Sequence, residues 1–119
     1  MKYSVSMKKN HEFRRLYAKG KSVATPPLVV YCRRVKRDYN QLGLTVSTKI
    51  GNAVCRNKIR RRLREIYRLN EERFQSGLDI VVVARVKSRY VSYAELEKAF
   101  IFACSRLGIL SDERKSGDC

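Results

Sequence analysis

"LDIVVVAR", residues 78–85, is the stretch on which the fold turns. A strand with one wet face alternates apolar and polar residues, whereas this run is almost continuously β-branched. It therefore predicts a central strand covered on both faces, at least in its middle. Upstream of it, residues 52 to about 73 read as the longest helix of the chain. Downstream, Ser92 with Glu95 matches a capping box, opening a last helix whose Leu96, Ala99, Phe100, Ala103 and Leu107 form one stripe before Gly108. Nearer the N-terminus, "TPP" at 25–27 forces an extended entry into "LVVYCR". There, period-2 alternation sets Leu28, Val30 and Cys32 on one face and Val29, Tyr31 and Arg33 on the other. "VKRDYNQ" is a polar turn and "LGLTVST" an antiparallel return strand with Leu42, Leu44 and Val46 inward. Asn10 and Glu12 read as the cap and acidic first turn of a first helix that stops at Gly20 and carries Phe13, Leu16 and Tyr17 on one face. The resulting order, α, β, β, α, β, α, predicts an α+β sandwich with helices packed on a small mixed sheet.

Length and charge narrow the function. The 119 residues hold 27 Lys plus Arg against 11 Asp plus Glu, a net charge of +16. This length predicts one domain over residues 1–110, followed by a polar tail at 111–119 expected to fray. With 44% hydrophobic residues the charge sits on a folded scaffold and not on a disordered basic tail. Such an excess works against the compact state and calls for a polyanionic partner: nucleic acid or, less often, an anionic membrane surface. The four cysteines lack CxxC spacing and have one histidine, His11, for company, which argues against a zinc site. No apolar run approaches a membrane span and the N-terminus lacks the apolar core of a signal peptide, so a cytoplasmic protein with reduced thiols and no membrane partner is expected.

The charge is concentrated in "GNAVCRNKIRRRLREIYR", residues 51–68. On a helical wheel Ile59, Leu63 and Ile66, with Cys55 beside them, form a stripe for the core. Asn57, Arg60, Arg61, Arg64 and Arg68 gather on a second face spanning about 100°. An ordinary solvated face is laced with acid-base pairs, but here Glu65 is the one local acid. A phosphate-reading face is the better account, because the arginine fork grips two phosphate oxygens. Elsewhere Tyr31 shares a predicted strand face with Arg33, and Arg85 shares one with Lys87, which interleaves aromatics with cations as single-stranded RNA requires. For Phe13 and Tyr17 the residues alone favour ordinary core packing, while for Tyr31 the two readings stand nearly even. A protein nuclease needs clustered carboxylates or an acid-base pair; Glu65, Glu71, Glu72 and Asp79 are scattered and His11 has no partner by spacing.

"KIGNAVCRNKIRRRLRE" resembles the signature of the bacterial ribonuclease P protein subunit. The likeness extends through "KKNHEF", an aromatic-bearing first strand and "LDIVVVAR" with its following helix, over roughly residues 7 to 108. The resemblance implies an α-β-β-β-α-β-α order, hence a mixed sheet of four strands with three helices, ribosomal-protein-like, with a left-handed βαβ crossover. It implies that the helix bearing Arg56, Asn57, Lys58, Arg60 and Arg61, extended on its wheel by Arg64 and Arg68, meets a catalytic RNA. It also implies that a cleft takes the 5′ leader of precursor tRNA, with Phe13, Tyr17 and Tyr31 as aromatic positions and Lys49, Arg85 and Lys87 as basic ones, joined by Arg33. Under that reading Mg²⁺ is held mainly by the RNA subunit and substrate, the cleavage chemistry belongs to the RNA, and no small-molecule substrate is involved. A structural ribosomal or RNA-chaperone protein of related fold is the alternative.

Overall fold

The computed structural model describes residues 4–7 and 9–110; the tail at 111–119, Cys119 included, lies outside them. The elements run β1 (Ser4–Ser6), α1 (Asn10–Lys19), β2 (Lys21–Ala24), β3 (Leu28–Arg34), β4 (Asn40–Thr45), α2 (Ala53–Asn70), β5 (Leu78–Ala84) and α3 (Tyr93–Leu107). The strands form one five-stranded mixed sheet in the order β1-β4-β5-β3-β2. The fold is the expected α+β sandwich, with three helices and one strand more than the resemblance implies. The extra strand, β1, pairs in parallel with β4 at the sheet edge.

β5 is the central strand and is covered on both sides. Leu78, Ile80, Val82 and Ala84 join the main core under α2 and α3, while Val81, fully buried, packs with Leu16 and Met7 beneath α1. α1 thus lies on one face, with α2 and α3 on the other. This layering fixes the hand of the crossovers. β1, β4, β5 and β2 all run in one direction, with β3 reversed. The β1-α1-β2 and β4-α2-β5 connections both advance the same way across the sheet, but over opposite faces, so they have opposite hands. One of the two is therefore left-handed, against the strong right-handed preference of such units.

Local chemistry sets the element ends. The Asn52 side chain accepts from Cys55 N–H at the start of α2. Ser92 and Glu95 form the expected capping box, and α3 ends at Gly108 in the left-handed conformation. The cap of α1 differs from expectation: Asn10 is already helical, and Lys9 occupies the cap position without a side-chain bond. Thr25 closes the β2–β3 turn, its Oγ1 donating to Leu28 O at 2.7 Å.

One buried polar knot ties the sheet to the helix above it. Asn40, 3% exposed, accepts from Leu78 N–H and donates to Gln75 O, both at 2.9 Å. It also faces the Tyr67 hydroxyl, which bonds Ser4 of β1 at 2.6 Å. Burial raises the Tyr67 pKa, against the pull of those hydrogen bonds. Satisfied in this way, the amide costs little; removed, it strands two backbone groups. Asn40→Ala is expected to lower the unfolding free energy by about 1 to 3 kcal/mol in a denaturant titration. A change within about 0.5 kcal/mol, the range of ordinary surface substitutions, would count against this role.

Candidate nucleic-acid interface

α2 divides as its wheel predicts. Ile59, Leu63, Ile66 and Tyr67 are buried in the main core. Asn57, Lys58, Arg61, Arg64 and Arg68 are exposed, while Arg56 and Arg60 are half-buried. Arg68 forks onto Glu65, Nε to Oε2 at 3.1 Å and Nη2 to Oε1 at 2.5 Å, and this bond holds the Glu65 carboxyl below its ordinary range. No described carboxylate pairs with Arg60, Arg61 or Arg64. The helix therefore carries an uncompensated positive ridge, and like charges at i, i+3 and i+4 cost it free energy in isolation.

On the opposite side of the sheet α1 forms a groove with β4. Tyr17 and Tyr31 meet edge to face at 4.9 Å between ring centroids, and Phe13 lies 6.5 Å from Tyr17. The Tyr17 hydroxyl shares a hydrogen bond of 3.0 Å with Thr45 Oγ1. Tyr17 is 41% exposed, whereas Phe13 and Tyr31 are half-buried. Phe13 sits down on the sheet because β4 has a glycine beneath it: a Cβ at Gly43 would lie 2.7 Å from the ring. Of the α1 aromatics, Phe13 is thus largely packed and Tyr17 is offered to solvent.

The groove has a volume of about 470 Å³ and is lined by Asn10, Phe13, Arg14, Tyr17, Leu44, Thr45, Val46 and Arg60. Arg60 is the link between the two surfaces. From α2 it accepts orientation from Asn57, donating Nη1 to Oδ1 at 3.1 Å, and reaches over the end of β4 to Val46 O at 3.5 Å. The wheel groups Arg60 with Arg61 and Arg64 but carries no sign of this reach. Arg14 of the groove was likewise invisible, since only its neighbour Phe13 shows a pattern.

The other predicted basic residues scatter. Arg33 stands on the α1 face of β3, one pleat past Tyr31, opposite Asp79. Lys49 is exposed on the 3-10 turn Thr48–Ile50 leading into α2. Arg85 and Lys87 do not share a strand face, contrary to expectation. β5 ends at Ala84, and Val86–Arg89 winds into a 3-10 turn in which the Ser88 hydroxyl donates to Arg85 O at 2.7 Å. Arg85 is turned to the β2–β3 connection, donating to Thr25 O at 3.0 Å. Lys87 lines a separate apolar groove with Pro26, Pro27 and Phe102 against α3. Neither is brought to the aromatic groove. Among the described residues no three His, Cys, Asp or Glu converge as a metal-binding group, and no helix is long and apolar enough to cross a membrane.

A family model described as Ribonuclease P matches residues 1–108. The ribonuclease P protein component of Alkaliphilus metalliredigens is 37% identical over 111 residues, 93% of this chain and 100% of the relative. That of Clostridioides difficile is 43% identical over 94 residues, 78% of this chain and 82% of the relative. The Staphylococcus aureus RNase P protein superposes with a TM-score of 0.82 at 35% identity, covering 88% of this chain and 96% of that one. The Thermotoga maritima RNase P protein does so with a TM-score of 0.74 at 32% identity, covering 81% and 91%.

The close seating of Phe13 on Gly43 makes a direct forecast. Gly43→Ala must lift the ring or bend the strand, so thermal unfolding is expected to show a loss of about 1 to 3 kcal/mol, the usual cost of overpacking. An unchanged melting curve would mean that Phe13 moves freely off the sheet.

Proposed function

The chain belongs to the ribonuclease P protein family, RNA-binding subunits of a tRNA-processing endoribonuclease, and from that premise we propose how its two surfaces divide the work. The α2 ridge, through Arg56, Asn57, Lys58, Arg60, Arg61, Arg64 and Arg68, meets the catalytic RNA in the cytoplasm. The groove under α1 takes the single-stranded 5′ leader of precursor tRNA, with Tyr17 and Tyr31 stacking on bases and Arg14, Arg60 and Arg33 facing the backbone. Endonucleolytic hydrolysis then releases the leader and leaves the mature 5′ end. The carrying observation is the bridge made by Arg60, which puts a cation of the ridge into the wall of the aromatic groove.

The physical task is to bring two polyanions together. Each cation placed against a phosphate releases condensed counterions, so the ridge supplies affinity without sequence preference. The tyrosines add stacking that tolerates any base, which suits leaders of differing sequence. Among the described residues the scattered acids do not gather into a metal site, and Mg²⁺ would supply its chemistry from the RNA and substrate. What these residues do is bind and orient: Tyr17 is held by Thr45, and Arg60 is aimed by Asn57 and Val46 O.

Leader stacking is separable from assembly. In the reconstituted holoenzyme, Tyr17→Ala and Tyr31→Ala are each expected to cost about 1 to 3 kcal/mol of binding to precursor tRNA, with the affinity for mature tRNA unmoved. Equal losses for both tRNAs, together with a lowered melting temperature of the protein alone, would return these rings to a packing role.

A further inference from the structure

The segment that follows β5 carries a surface that neither the ridge nor the groove uses. Val86–Arg89 winds as a 3-10 turn and ends at Tyr90, whose N–H donates to Lys87 O at 3.0 Å. The next residue, Val91, packs against the main core. Tyr90 is thus pinned through its backbone while its side chain stays 73% exposed, more than any other tyrosine or phenylalanine among the described residues. A ring held in water on a fixed turn forgoes the stabilisation that burying its apolar area would bring.

The ring does not stand alone. The Arg89 guanidinium lies over it, 5.7 Å from the centroid, within the range of a cation–π contact. Through Nη1 the same guanidinium donates to Ile50 O at 3.2 Å, on the turn Thr48–Ile50 that leads into α2. Gly51 leaves room for this approach: a Cβ there would lie 3.3 Å from Arg89 Nη1 and 3.3 Å from the Sγ of Cys55, in the first turn of α2. Arg89 therefore joins Tyr90 to the start of the cationic ridge, as Arg60 joins that ridge to the aromatic groove. Its acceptor is neutral, so the bond orients the guanidinium without cancelling its charge.

The surrounding charge decides what such a ring would meet. Lys49 and Lys87, on the two turns that Arg89 ties together, are exposed, and no described carboxylate pairs with Lys49, Lys87 or Arg89. α2 opens with no acid in its first turn. The nearest acid to Tyr90 along the chain, Glu95, is turned into the capping box, accepting from Ser92 N–H at 3.4 Å and from its hydroxyl at 3.1 Å. An exposed aromatic face beside an oriented arginine, in cationic surroundings, matches a nucleic-acid base and its phosphate better than an apolar protein patch. We propose that Tyr90 and Arg89 form a stacking platform for an unpaired base of the catalytic RNA, with Arg89 on an adjacent phosphate, extending the α2 ridge past its N-terminal end. The platform rests on the reading of the ridge as the face that meets that RNA.

Binding of the full-length protein to its catalytic RNA, without tRNA and across a salt series, tests this beside a melting curve of each variant. Tyr90→Ala is expected to weaken binding at least about fivefold, the lower end of what one stacked base contributes, with an unchanged salt slope and near-normal melting. Tyr90→Phe keeps the π face and should bind as the wild type does, whereas Tyr90→Leu should behave like Tyr90→Ala. Arg89→Gln, which can still donate to Ile50 O, should flatten the salt slope by about 0.7 to 0.9. Normal binding by Tyr90→Leu would overturn the stacking role, and normal binding by Tyr90→Ala would remove the platform altogether. A loss seen only with precursor tRNA in the reconstituted holoenzyme would also overturn it, moving the ring to the substrate. If Arg61→Ala/Arg64→Ala still weakened the RNA in either case, the ridge reading would stand without the platform; if that variant, too, bound normally, the ridge reading itself would fall.

Discussion

Covering the middle of β5 on both faces is the constraint from which the other features follow. A strand of Leu, Ile and Val with Val81 fully buried on one face and Ile80 on the other needs a layer on each side. The main core under α2 and α3 supplies one, and α1, with Phe13 and Leu16, supplies the other. Opposite-face helices on crossovers that advance in the same direction make one crossover left-handed. They also give the protein two surfaces of different chemistry, a groove between α1 and the sheet and a ridge on the solvent side of α2. The end of β4 is where these surfaces meet, and Arg60 crosses there.

Charge on this scaffold contributes little to stability. A net charge of +16 repels itself in the free protein, and the exposed Arg68–Glu65 fork is weak compensation. Arg37 is paired with Asp79, but Arg60, bonded to Asn57 and Val46, and Arg34, bonded to Gln75 and Gly108, are oriented by neutral acceptors. Orientation is therefore obtained while the positive charge stays available to a partner. Preorganised cations of this kind lose less side-chain entropy when a phosphate arrives.

Much of this was legible in the residues, and the gaps have physical causes. The β-branched run, the α2 stripe and the Ser92/Glu95 box are strong local signals, and each appears where its pattern puts it. β1 and β2 were not legible from periodicity because "SVS" and "KSVA" are too short and too polar, and their pairing is tertiary. Arg85 and Lys87 were misread because alternation was carried past Ala84, where the Ser88 hydroxyl and the bond from Arg85 N–H to Pro27 O turn the chain. The reach of Arg60 to Val46 O depends on a contact between distant elements, which no wheel or window contains.

Recovery of the protein from its own cells at gentle salt, followed by sequencing of the bound RNA, identifies what the α2 ridge binds. The expected RNA is the catalytic RNA of ribonuclease P, with precursor tRNA carrying intact leaders beside it. Ribosomal RNA in its place would overturn that assignment and give the α2 ridge a structural role in the ribosome.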